Sequence, residues 1–245
     1  MKGKTAAGEA TAALREMILS GQLHPGQPVR QNHLSELLGI SRTPLRTAMA
    51  TLTQDGLLSY EENRGYRVKS FSVDSIIKVF EIRAGLEAMA CRAAVRCGID
   101  NATIEELDRL VTIGDRILSS GSLDVADLPE YRQFNVRFHD TIINAAQNPW
   151  LHEFVGRTHN VPLVSDRIIL WEADDFALIQ RSHDDHHRIA RALRNSDGER
   201  AAAIMHEHVQ YAGEALVDRL RNDPEETFRK LAFSPPTANT CQKDQ

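Results

Sequence analysis

Residues 33–58 read HLSELLGISRTPLRTAMATLTQDGLL, and this stretch decides how the chain begins to fold. Leu34, Leu37 and Leu38 give a short helix one apolar face, and Gly39 ends it. Ser41 stands at the N-cap of a following helix, with Pro44 inside the first turn, where a missing backbone N–H is tolerated. Leu45, Ala48, Met49 and Leu52 form its buried stripe, and Asp55-Gly56 closes it. The stripe leaves outside Arg42, Thr43, Arg46 and Thr47, with the two arginines four residues apart on one face. Two helices joined by a tight turn, the second opening with Arg and Thr, suit a DNA major groove. Arg bonds guanine bidentately there, while hydroxyls and helix-start N–H groups hold phosphate. A charged surface helix has the same composition, so this stretch alone leaves both readings open.

The flanks narrow the choice. Upstream, Ala10, Leu14, Met17 and Ile18 recur at helical spacing until Gly21 and Pro25-Gly26. Downstream, Leu57, Leu58 and Tyr60 run into Glu62-Asn63-Arg64-Gly65, and Tyr66 and Val68 alternate on the way back, which predicts a short β-hairpin, a wing.

Charge is divided unevenly along the 245 residues. Residues 1–70 carry nine Lys/Arg against six Asp/Glu, and the remainder 20 against 28, so a mildly basic head precedes an acidic body. That pattern suits a phosphate footprint confined to the head. Three cysteines, Cys91, Cys97 and Cys241, lack metal-ligand or redox spacing and read as buried or incidental thiols. No apolar run is long enough to span a membrane and the first residues lack a signal core, so the expectation is a soluble cytoplasmic protein.

After residue 70 strand alternation disappears. Helices are expected at 73–97, 101–120, 127–147, 149–171, 175–195 and 197–222, punctuated by Gly98, Gly121, Pro149, Asp174-Asp175 and Asp197-Gly198. The fold class is therefore mainly α: a winged helix-turn-helix domain at 1–70, a linker at 71–75, and an all-α antiparallel helical bundle at 76–230. The polar tail 231–245 is expected to be disordered.

Ten histidines are distributed so that some share the apolar faces. Asn135 and His139 lie four apart, with Ile142 continuing their stripe. Ile179, His183, His186, Ile189 and Leu193 form another, and Ala201, Ile204, Met205, His208, Tyr211 and Ala215 a third. Three helices thus turn nitrogen ligands into one interior, an arrangement suited either to a buried polar network or to a metal bound by neutral imidazole. Arg83 and Arg132 are candidate partners for a carboxylate ligand, and equally for salt bridges with neighbours such as Glu87.

These segments resemble the GntR superfamily of regulators, in the fatty-acid-regulator (FadR/FCD) branch. The matching head segments are LREMILSGQLHPGQPV (14–29), residues 33–58 and NRGYRV (63–68). In the body they are VFEIRAGLEAMACRAAV (79–95), FNVRFHDTIINAAQNPWL (134–151) and HHRIARALRNSDGERAAAIMHEH (186–208). Six body helices would place the chain in the vanillate-regulator-like (VanR) subgroup. The resemblance implies a DNA-binding transcription repressor rather than an enzyme. It would act as a homodimer on double-stranded operator DNA and respond to a small carboxylate effector. It also implies that Arg42, Thr43 and Arg46 contact DNA, with Arg64 and Gly65 entering the minor groove. Asn135, His139, His186 and His208 would ligate a divalent transition metal, Zn, Ni, Mn or Fe, with Asn135 replacing the Asp of many relatives. Asn32 stands where some relatives have a phosphate-binding Arg, and Glu61-Glu62 put negative charge beside the wing. The competing readings are the same DNA-binding dimer with a purely structural metal and no effector, and a metal-dependent hydrolase. For the latter the chain offers no HExxH motif.

Overall fold

The computed structural model describes residues 5–19, 21–70, 72–124, 126–159, 161, 164 and 176–222. They fall into two units, divided after Ser70.

In the head, α1 (Ala6–Leu19), α2 (Gln31–Leu38) and α3 (Arg42–Gln54) are followed by β2 (Leu58–Glu61) and β3 (Gly65–Val68). A two-residue strand β1 (Pro28–Val29), absent from the sequence reading, pairs with β3, so the hairpin becomes a three-stranded antiparallel sheet in the order β1-β3-β2. Two residues carry no periodicity, so only the pairing of Val29 with Tyr66 reveals the strand. The hairpin turns through Asn63 and Gly65, both at positive φ, a conformation that glycine adopts freely and Asn tolerates. Helix α3 packs against α1, α2 and β2. Ala10, Leu14, Leu34, Leu45, Met49, Leu52 and Leu57 are all sealed in that core. Two expectations change here. Leu37 is exposed, so the inner face of α2 rests on Leu34. Ser41 has N-cap backbone geometry, but its side chain caps nothing.

The body contains α4 (Val73–Arg96), α5 (Asn101–Leu118), α6 (Leu128–Ala145), α7 (Pro149–Thr158), α8 (Phe176–Arg194) and α9 (Gly198–Asn222). Residues 73–75, assigned to the linker from sequence, are the first turn of α4, capped by the Ser72 hydroxyl accepting from Ser75 N–H. Asp100 and Asn148 cap α5 and α7 in the same way. Helix α4 packs along α9 and also touches α6 and α7, while α8 lies against α9 and α5. Gly198 opens α9 as a point of close approach: a Cβ there would stand 3.2 Å from Val95 Cβ. The left-handed residue at that corner is Ser196.

Helix α7 ends at Thr158, not 171 as expected. Residues 160, 162–163 and 165–171 of that expected span lie outside the described residues. The Asp174-Asp175 break and the tail 231–245 lie outside the described residues. On α9 the inner face is broader than expected, taking in Ala202, Val209, Gly213 and Leu216, while Tyr211 and Ala215 are only half-buried. Among the described residues, no helix is long and apolar enough to cross a membrane.

Candidate functional site

On the head, packing of Leu45, Ala48, Met49 and Leu52 into the core forces Arg42, Thr43, Arg46 and Thr47 outward, and all four are exposed. Gln31 Nε2 donates to the Arg42 carbonyl at 2.6 Å, tying the start of α2 to the start of α3. Asp55, just past α3, accepts from Arg15 of α1 at 2.5 Å, so both ends of the helix are fixed. At the wing tip Arg64 is three-quarters exposed and Gly65 forms the corner. Glu61 lies 3.6 Å from Arg64 and 4.0 Å from Arg67, so part of the wing's negative charge is answered within the hairpin. Asn32 is exposed on α2. The face is therefore exposed and cationic, as a phosphate-rich groove requires.

In the body, the structure brings His139 of α6, His186 of α8 and His208 of α9 together. One ligand nitrogen from each lies within 4.8 Å of the others, and all three residues are buried. The aromatic rings of Phe134 and Phe138 wall the cluster, with centroids 5.3 Å and 4.5 Å from that of His186. Both ring nitrogens of His186 lack a hydrogen-bond partner among the described residues. Each such buried polar atom costs on the order of 1–3 kcal/mol. Burial, and then the neighbouring His208 and His139, holds the His186 pKa well below the ordinary histidine range. His208 is pushed down to about 3, chiefly by burial. Depressed pKa values keep His186 and His208 in the unprotonated form that a metal requires.

A carboxylate missed as a site residue completes this arrangement. Glu87 of α4 is buried, accepts from Arg83 Nε at 2.6 Å and contacts His139 Nδ1. Burial alone would raise its pKa, but Arg83 and then His139 pull it below the usual carboxylate range. The ionised carboxylate can only accept, so the proton in this contact sits on His139 Nδ1, and Nε2 is the nitrogen left to face a metal. This is the carboxylate–histidine pairing that orients metal ligands. The donor set therefore fits a divalent transition metal held by His139, His186 and His208. Sequence offered a signal for Glu87: it and Arg83 interrupt the apolar stripe Ile76, Phe80, Ala84, Ala88, Cys91.

Of the remaining candidates, Asn135 is half-buried one turn before His139, and Arg132 is half-buried on the same helix. Arg83 is buried and, besides Glu87, donates from Nη1 to the Val164 carbonyl at 2.8 Å. Cys91 is sealed, and burial pushes its thiol pKa upward.

A winged helix with an exposed cationic helix face, in one chain with a helical bundle holding a buried histidine cluster, points to the class of DNA-binding regulators. Comparison with known proteins names the family. Residues 6–68 match the model of bacterial regulatory proteins, gntR family, and residues 78–211, more than half of the chain, match that of the FCD domain. The chain belongs to the GntR family of transcriptional regulators with an FCD domain. It is 26% identical over 222 residues to the Nta operon transcriptional regulator of Aminobacter aminovorans, covering 91% of this chain and 100% of that one. It is 24% identical over 199 residues to the HTH-type transcriptional repressor GlaR of Escherichia coli, covering 80% and 89%. The solved structure of E. coli McbR/YncC shares the fold, with a TM-score of 0.71 at 22% identity, over 89% of this chain and 99% of that one. These relatives are regulators of transcription, not enzymes.

Proposed function

We propose that the chain is a cytoplasmic, metabolite-responsive repressor that binds a pseudo-palindromic operator as a homodimer and releases it when a small carboxylate enters the body. Arg42, Thr43 and Arg46 read the major groove, and Arg64 and Gly65 reach the minor groove. His139, His186 and His208, with Asn135, hold Zn, Ni, Mn or Fe. Six body helices among the described residues fit the VanR-like subgroup. A single recognition helix reads too few base pairs for genomic specificity, which favours a dimer. Ile82 and Met89 on α4, with Trp150 and Phe154 on α7, are exposed apolar side chains on two helices that pack together, and they offer a face for a second copy.

The observation that carries the metal reading is His186, sealed with both nitrogens unpartnered among the described residues. A bound cation would act as a Lewis-acid anchor for an anion. With Asn instead of Asp at 135, three neutral imidazoles leave the ion's charge uncompensated, so a carboxylate is the matching effector class. Arg132, and Arg83 in its pair with Glu87, are the cationic side chains assigned to that carboxylate. A second reading, a structural metal without an effector, is favoured by the sealing of the triad, whose members are at most 6% exposed.

Operator binding followed by anisotropy, with metal-loaded and chelated protein titrated with organic and sugar acids, tests both. The repressor reading expects one acid class to weaken DNA binding only when metal is present. Metal-dependent stability with no response to any acid would favour the structural reading. A response confined to neutral or cationic compounds would sink the carboxylate.

A further inference from the structure

The seam between α5 and α8 carries a second group of ligand-type side chains outside the triad. Asp115 Oδ1 lies 2.9 Å from His183 Nε2 and 2.7 Å from His187 Nε2. His183 and His187 are one helical turn apart on α8, so both point at α5. We propose that Asp115, His183 and His187 form a second binding site for a divalent transition cation, independent of the triad and reached from solvent.

Three features support it. First, two imidazoles and one carboxylate are a donor set that Zn, Ni, Mn and Fe(II) accept, and it leaves positions open. Bonds of about 2.1 Å at angles near 90–110° place ligand atoms roughly 3.0–3.4 Å apart, so the observed separations need only a small outward step. Second, the fold makes room for the deepest ligand. A Cβ on Gly114 would stand 2.2 Å from His183 Cε1, 2.7 Å from Nδ1 and 3.0 Å from Nε2. Helix α5 thus omits its side chain where the ring lies and presents a carboxylate at the next residue. The Phe134 ring packs edge-on against the other side, at 5.4 Å between centroids. Third, His183 Nδ1 is buried without a partner among the described residues. Only its Nε2 is engaged, by Asp115, so that nitrogen is the one that faces an incoming cation.

Exposure is graded as a binding site requires. The His183 side chain is 1% exposed at the base, while those of His187 and Asp115 are 42% and 51% exposed at the mouth. Asp184, next along α8, adds negative charge close to His183. An ion here would fasten α8 to α5, while the triad fastens the same helix, through His186, to α6 and α9.

The test uses the full chain, stripped with chelator and titrated with Zn(II) alone by calorimetry, with metal content read by mass spectrometry after gel filtration. The expected result is two equivalents per chain. Asp115→Asn and His187→Ala should each lose one equivalent with circular dichroism unchanged, because both side chains are about half exposed. His208→Ala should lose the other. If His208→Ala changes nothing while Asp115→Asn removes an equivalent, the triad reading fails and the seam site stands. Unchanged stoichiometry and affinity in both Asp115→Asn and His187→Ala would reduce the cluster to a hydrogen-bond network and overturn the proposal.

Discussion

The exposed cationic face of α3 and the histidine triad solve opposite problems. Arg42, Thr43 and Arg46 are exposed side chains on consecutive turns of one helix, and the apolar stripe behind them does all the positioning. The triad residues are buried, come from three helices across 70 residues of chain, and depend on a fourth helix for Glu87 and Arg83. A surface site can be altered without disturbing the core that supports it. A buried site is part of the core, so function and stability change together there.

That contrast can be broken experimentally, and the sharpest break is Arg46→Ala. A bidentate base contact contributes about 1–3 kcal/mol, and a homodimer loses it twice, so specific operator affinity should fall roughly 10²- to 10⁴-fold. Stability should move by no more than about 0.5 kcal/mol, as for other exposed positions. Footprinting alongside urea unfolding measures both, and an unchanged footprint at moderate salt would misplace the recognition helix.

Glu87→Gln is the mirror experiment. It leaves Arg83 buried without its counter-charge, so unfolding free energy should drop by about 3–5 kcal/mol. Metal affinity should fall about 10–100-fold through His139. A variant as stable as the parent would mean that the Arg83–Glu87 pair does not support the body.

Next in size is the pH response of chelated protein. His186 and His208 have folded pKa values below the ordinary 6.5, so at lower pH the unfolded chain binds more protons than the folded one. Stability from these groups is complete above about pH 6.5 and is lost as pH falls toward 3, at up to about 1.4 kcal/mol per pH unit for each histidine. Urea midpoints between pH 7 and 4 read it. A head fragment carries neither histidine, and a flat profile in the full chain would contradict buried, neutral rings.

The smallest effect expected is from Asn135→Asp. Added negative charge should tighten metal retention on the order of tenfold and weaken binding of a carboxylate effector. Metal exchange against a competing chelator, with calorimetry for the effector, measures the two. Equal metal retention in both proteins would remove residue 135 from the ligand set.

Local pattern determined much of this protein. The 3.6-residue period located each body helix in the described region, because burial of one stripe is enough to specify a helix and its inner face. The same period separated Arg42 and Arg46 from their core-facing neighbours, and the family spacing selected His139, His186 and His208. Periodicity failed where local packing departed from it: α7 stops at Thr158 although the apolar run suggested a longer helix, and Leu37 matches its stripe yet faces solvent. What tertiary structure alone decided is pairing across distance. The β1 strand exists because Val29 meets Tyr66. Glu87 belongs to the triad because α4 crosses α6, and Asp115 meets His183 because Gly114 lets the ring approach. Such contacts join residues 52 and 68 positions apart, and periodicity in a window of one helix contains no term for the neighbour that packing brings.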